Sequence, residues 1–182
     1  GYRIISQNTM IVLEDRGSRI DLYIRSIGKK FYATQKVLKR ATSKKFNRLI
    51  VYIASEIDLL IMKALTERAR DFEDIKHLIR RGKINWKKLI EAVEEQDNIT
   101  GYPISYDVLI TLEEIERELN TRVPYKRKLK SIALKAMIRY AYFVLKKKTV
   151  REIRELISYP ETTIRKKLKE ILNETNKIKP SK

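Results

Sequence analysis

The feature that most constrains this chain is a change of apolar period near residue 55. Before it, apolar residues alternate with polar ones: Ile11 and Leu13, then Ile20, Leu22 and Ile24, with Arg16-Gly17-Ser18 between the runs. A period of two places one face of a strand in a core, and a Gly-containing turn between two such runs makes an antiparallel ribbon. A helical patch follows around 34–42. Leu49-Ile50-Val51-Tyr52-Ile53 is then a β-branched and aromatic run that predicts one more strand for a thin sheet.

From Ser55 onward the spacing is helical. Ser55 is placed to N-cap a helix with Leu59, Leu60, Met62 (or Ala64) and Leu65 on its apolar face, and with Glu56 and Asp58 in the first turn, where the helix dipole favours them. A second helix from Asp71 presents Phe72, Ile75, Leu78 and Ile79, and Gly82 stops it after Arg80-Arg81. Asn85 opens a third, with Trp86, Leu89, Ile90 and Val93 inside. Asp97-Asn98-Ile99-Thr100-Gly101-Tyr102-Pro103 gathers turn formers, Gly and Pro, the strongest boundary signal in the chain. A helix over about 105–120 (Val108, Leu109, Leu112, Ile115, Leu119) then connects two domains and ends at Pro124. The remainder predicts helices near 127–147, 149–157 and 161–174. The expected class is α+β, mostly α. A small antiparallel sheet with helices fills 1–96, a linker with a connecting helix fills 97–126, and an all-α trihelical unit fills 127–182.

Charge is as unevenly distributed as period. The 182 residues hold 41 Lys+Arg and 23 Asp+Glu, a net of +18. From Lys126 to Lys182 there are 18 basic and 5 acidic residues, so this third of the chain carries +13 and the rest only +5. A basic segment with interleaved apolar residues folds, and its field calls for a polyanion partner. The absence of Cys excludes disulfides, thiolate chemistry and iron–sulfur clusters, and one His, His77, excludes multi-histidine metal sites. Five Gly leave no Gly-rich phosphate loop. The most apolar stretch, 132–145, contains Lys135 and Arg139 and is too short to span a bilayer, so no membrane partner is expected. The opening Gly1-Tyr2-Arg3 is unlike a secretory leader, which makes a cytoplasmic location the expectation. Abundant Ile, Lys, Arg and Glu without Cys fits a thermophile's composition.

In the basic third, Thr149 is placed to cap a short helix with Val150, Ile153, Leu156 and Ile157 on one face. Ser158-Tyr159-Pro160 breaks the pattern, since proline disfavours helix in the preceding residue and suits a new helix start. The last helix buries Ile164, Leu168, Ile171 and Leu172, which turns Thr162, Thr163, Arg165, Lys166 and Lys169 outward. The string TVREIRELISYPETTIRKKLKEIL (149–172) resembles the helix-turn-helix families of transcription factors. That resemblance implies a recognition helix whose first turns reach base edges in the major groove of duplex DNA. Thr162, Thr163, Arg165, Lys166 and Lys169 would contact bases and phosphates, and Arg151, Arg154 and Lys147 would anchor phosphates. Such binding requires no cofactor, and many helix-turn-helix proteins pair as homodimers to read two half-sites. The alternative for the same residues is a protein-binding helical module with solvated cations.

A second string, SEIDLLIMKALTERARDFEDIKHLI (55–79), resembles nucleotidyltransferase-like proteins of the DNA polymerase beta superfamily, abortive-infection toxins among them, through Ser55, Asp58, Leu59, Lys63, Arg68, Asp71 and Asp74. GSRIDLYI (17–24) is similar to the strand that carries the family's third carboxylate, which puts catalytic and Mg²⁺-binding roles on Asp21 and nucleotide binding on Lys63. Two-metal transfer needs about three carboxylates, yet no Asp-x-Asp pair follows Gly17-Ser18 at the family's spacing. Either that pair lies upstream of Gly1 or the domain is a degenerate relative. Arg68, Asp71 and Asp74 serve equally well as helix-terminus ion pairs. The sequence thus predicts a DNA-binding protein with a basic helix-turn-helix fused to a truncated or degenerate nucleotidyltransferase-like domain. The alternative is a metal-dependent nucleotidyltransferase.

Overall fold

The computed structural model describes residues 3–6, 10–16, 18–23, 26–27, 30–66 and 68–178; side chains are described at 16, 26, 27, 30–66 and 68–175. The protein is α+β and mostly helical. Strands β1 (Arg3–Ser6), β2 (Met10–Asp15) and β3 (Ser18–Tyr23) form an antiparallel sheet in that order. β2 and β3 pair without a break from Met10↔Tyr23 to Asp15↔Ser18, and Arg16 follows β2 at φ 45°. The expected ribbon is present, and β1 extends it.

The run Leu49–Ile53 does not join this ribbon. Two short strands, β4 (Ser26–Ile27) and β5 (Phe31–Tyr32), pair with each other, and helix α1 (Gln35–Arg40) follows, its N-terminus capped by the Thr34 hydroxyl, which accepts from the Val37 N–H. Strand β6 (Thr42–Phe46) then pairs with β7 (Leu49–Ile53) as a separate hairpin. Asn47 turns the chain at φ 52°, a left-handed conformation that Asn tolerates, so β7 finds its partner locally.

Ser55 caps α2 (Glu56–Ala64) as expected, but the buried face is not quite the expected one. Ile57, Leu60, Ile61 and Ala64 are buried, and so is Asp58, whereas Leu59, Met62 and Leu65 are only partly covered. α3 (Ala69–Arg80) buries Ile75 and Leu78, and α4 (Trp86–Thr100) buries Leu89, Ile90 and Val93. The chain leaves α3 through Gly82 at φ +67°, a conformation in which a side chain would be strained.

The segment 97–103, whose composition suggests a boundary, is instead a packed corner. Asp97 to Thr100 continue α4, Gly101 ends it at φ +67°, and α5 (Ile104–Leu119) starts at once. Asp97 is buried and caps α5 from across the corner: it accepts from the Ser105 N–H (2.9 Å) and the Ser105 hydroxyl (2.5 Å). Ile104, Val108, Leu112 and Ile115 of α5 lie in one apolar cluster with α2, α3 and α4. α5 ends at Asn120 in the left-handed conformation (φ 46°), before Pro124 is reached.

α6 (Lys126–Arg139) belongs to two cores. Leu129 and Ala133 close the first cluster, while Leu134 and Ile138 open a second with Ala141, Ile153, Ile157, Ile164, Leu168 and Ile171. The helix expected to run to 147 widens into a π turn at Tyr140–Val144, whose Tyr140 and Ala141 carbonyls accept from the Leu145 and Lys147 N–H groups. α7 (Val150–Arg154) and α8 (Glu161–Ile178) complete the second cluster. Among the described residues, no helix is long and apolar enough to cross a membrane.

Burial pushes the Asp97 carboxyl up to about 7, against the pull of its bonds from Ser105. An unfolded Asp ionises near 4. Between those values the unfolded chain therefore holds less proton than the folded one, and this group lowers stability as pH rises. Each pH unit in that window costs about 1.4 kcal/mol. Asp97→Asn keeps the acceptor for Ser105 and removes the charge. In urea titrations it should gain roughly 4 kcal/mol relative to wild type between about pH 4 and pH 7 and nothing more above that. Parallel stability profiles for the two proteins would contradict the assignment.

Candidate nucleic-acid interface

The second core determines what α8 shows to solvent. Thr149 and Glu152 form a capping box at the start of α7: the Thr149 hydroxyl accepts from the Glu152 N–H, and the Glu152 carboxylate accepts from the Thr149 N–H (3.0 Å) and from its hydroxyl (2.8 Å). These bonds hold the Glu152 carboxyl below its ordinary range. The chain turns at Ser158-Tyr159-Pro160, and the Pro160 carbonyl accepts from the Thr163 and Ile164 N–H groups to start α8. Ile164 and Ile171 are fully buried and Leu168 nearly so. At the far end, Glu174 pairs with Lys135 (2.8 Å) and Arg139 (3.8 Å) and ties α8 to α6.

The opposite side of α8 carries Thr162, Arg165, Lys166 and Lys169, all exposed. Spacings of three, four and seven residues put them in one stripe along the helix. Among the described residues none of these three cations has a carboxylate within ion-pair distance, whereas Lys167, one position away, is paired with Glu170 (2.7 Å). Thr163 is half-buried at the first turn. Arg151 is exposed on α7 and unpaired among the described residues. Arg154 is exposed but reaches across to Glu161 (3.3 Å), so its charge is partly matched, and Arg151, Arg154, Glu155 and Glu161 line a shallow hollow between α7 and α8. Lys147 is half-buried, with its N–H closing the π turn. Lys148 lies over the Tyr142 ring, 3.9 Å from its centroid, and donates to the Tyr142 carbonyl.

The residues of 55–79 that resemble a nucleotidyltransferase are brought together with one another. The Lys63 ammonium sits between Asp71 (2.8 Å) and Asp74 (2.6 Å), and the Thr66 hydroxyl donates to Asp71 (2.6 Å). Partial burial opposes both charges, yet these bonds prevail, raising the Lys63 ammonium above its ordinary value and holding the Asp71 carboxyl below its own. Arg68 is exposed at the start of α3. Asp58 is fully buried and held by the Arg40 guanidinium through both carboxylate oxygens (2.6 and 3.0 Å), with the Ser55 hydroxyl donating as well (2.5 Å). Asp58 is thus bound by Arg40, while Asp71 and Asp74 share the one ammonium of Lys63, which is engaged within the fold. The Asp21 side chain lies outside the described residues.

Sequence reasoning missed the partner of Asp58. Arg40 joins α1 to α2 and, through Glu95 (3.6 Å), to α4, while the Gln96 side chain bonds both backbone groups of Tyr32 (2.9 Å each). The only hint in the sequence was an acidic residue among apolar ones in a helical first turn. Removing one partner of a buried pair leaves an uncompensated charge at about 3–5 kcal/mol. Arg40→Ala should therefore destabilise the protein by roughly that amount in urea unfolding, and adding Asp58→Leu should recover part of the loss. A single variant within about 1 kcal/mol of wild type would refute the pairing.

Comparison of this chain with protein-family models, with curated proteins and with solved structures gives no match, so the interface rests on its own geometry.

Proposed function

We propose that this protein binds duplex DNA by laying the first turns of α8 in the major groove, with Arg151 of α7 on the flanking backbone, as a regulatory helix-turn-helix protein would. The observation that carries this reading is the stripe of Thr162, Arg165, Lys166 and Lys169, solvent-facing and without ion pairs among the described residues, on a helix whose other side is locked into a core. The major groove is about 12 Å wide and admits one α-helix. A guanidinium such as that of Arg165 can bond guanine O6 and N7 together, and hydroxyls such as that of Thr162 serve bases or phosphates. The +13 of residues 126–182 supplies the sequence-independent part of the attraction through counterion release. No cofactor enters this chemistry.

Glu155 and Glu161 are consistent with the same geometry. They line the hollow between α7 and α8 together with Arg151 and Arg154, and Glu161 pairs with Arg154, so the outer stripe of α8 is left as the cationic ridge. Nucleotidyl transfer gains no support from the Lys63 cluster, because its ammonium is already engaged by Asp71 and Asp74.

A salt titration tests the reading. By fluorescence anisotropy on a random duplex, log K should fall linearly with log salt, by about 0.9 for each phosphate neutralised. Arg165→Ala with Lys166→Ala should weaken binding at least about tenfold, since each such contact is worth about 1–3 kcal/mol. Both residues are exposed, so the fold should be unaffected. No binding at about 50 mM salt, or equal affinity for the wild type and the double variant, would reject it.

A further inference from the structure

The β6–β7 hairpin stands off the helical body. Every residue from Thr42 to Ile50 is exposed, and Phe46, Leu49, Ile50 and Tyr52 each leave more than half of their surface in solvent (58, 60, 53 and 53%). Only its base is seated: Tyr52 and Ala54 line an apolar groove with Phe31, Val37, Leu38 and Met62. A two-stranded hairpin by itself is marginal in water, and clustered exposed apolar side chains mark a contact surface.

Charge selects what the hairpin contacts. Residues 42–53 contain Lys44, Lys45 and Arg48 and no acidic residue, and among the described residues none of the three cations is ion-paired. A second copy of this chain would bring three like charges to the same place, on a protein already at +18. A polyanion would not. The tip then distinguishes among polyanions. Phe46 and Leu49 are paired across the strands and so lie side by side on one face, with Asn47 and Arg48 forming the turn between them. Apolar wedges flanked by Arg, Lys and Asn are the chemistry by which proteins enter the minor groove, part a base step and bend the duplex.

We propose that the β6–β7 hairpin is a minor-groove arm. Phe46 and Leu49 wedge a base step, Asn47 and Arg48 line the groove, and Lys44 and Lys45 neutralise the adjoining phosphates. This inference takes its ligand class from the DNA reading above but stands on different residues, so the two can fail separately.

The test uses the full chain and a duplex of about 25 base pairs with a donor and an acceptor dye at its ends, since straight DNA of that length is stiff. The wild type should bring the ends together. Phe46→Ala with Leu49→Ala should bind within about threefold of wild type and leave the duplex straight. Lys45→Ala with Arg48→Ala should weaken binding about tenfold or more and lower the salt slope by about 2. All four side chains are exposed, so folding is preserved. Loss of binding in Lys45→Ala with Arg48→Ala but not in Arg165→Ala with Lys166→Ala would support the arm and remove α8. Loss only in the α8 variant, with an unbent duplex and wild-type behaviour from both arm variants, would overturn the arm and keep α8. Unchanged DNA affinity together with an arm-dependent dimer in sedimentation would also overturn it, assigning the hairpin to a second copy.

Discussion

Burial of Ile164 against a small apolar cluster is the constraint on which the outward face of this molecule depends. Ile138, Ile153, Ile164 and Ile171 have no exposed surface, and together they determine how α8 is rotated about its own axis. Turning that helix by one residue, about 100°, would drive Arg165 into the cluster and lift Ile164 out. The core and the cationic ridge are therefore one feature seen from two sides. Lys135 and Arg139 on Glu174 hold the distal half of α8, and the capping box on α7 holds the turn that precedes it.

The larger part of the chain handles charge differently. There, acidic residues and cations are matched to each other: Asp58 to Arg40, Asp71 and Asp74 to Lys63, Glu118 to Lys76, Glu113 and Glu116 to Lys126 at the start of α6. These pairs tie successive helices together. On α8 and on the β6–β7 hairpin the described cations Arg165, Lys166, Lys169, Lys44, Lys45 and Arg48 lack that matching. A surface whose cations lack such matching is the one on which the proposed DNA reading rests.

Much of the framework was legible in the residues themselves, because it rests on local rules. Ser55, Asn85 and Thr149 cap helices through hydroxyl or amide oxygens, as their positions predict. The stripe of Ile164, Leu168 and Ile171 is buried where helical spacing puts it. What failed to show was long-range or context-dependent. Thr42–Phe46 has strand formers only at its two ends, Thr42 and Phe46, so its pairing with Leu49–Ile53 depended on the Asn47 turn. Asp97 carries the signature of a loop, yet its side chain caps the next helix from a buried position, and only the fold reveals that Ser105 is its partner. Arg40 and Asp58 lie 18 positions apart, with no pattern to connect them. Of the residues that carry the likeness of 55–79 to a nucleotidyltransferase, Asp58, Lys63, Asp71 and Asp74 make ion pairs within the fold, and no spacing rule announces them.

The absence of cysteine permits a direct test of whether the ridge meets DNA as proposed. A single Thr162→Cys carrying a short photocrosslinker places one reactive group at the first turn of α8, the residue there being exposed. If α8 occupies the major groove, irradiation of the complex with duplex should yield adducts on base atoms of that groove, and these should vanish at high salt. Adducts confined to the sugar–phosphate backbone, or none despite demonstrable binding, would show that the cationic ridge of α8 is not the reading surface.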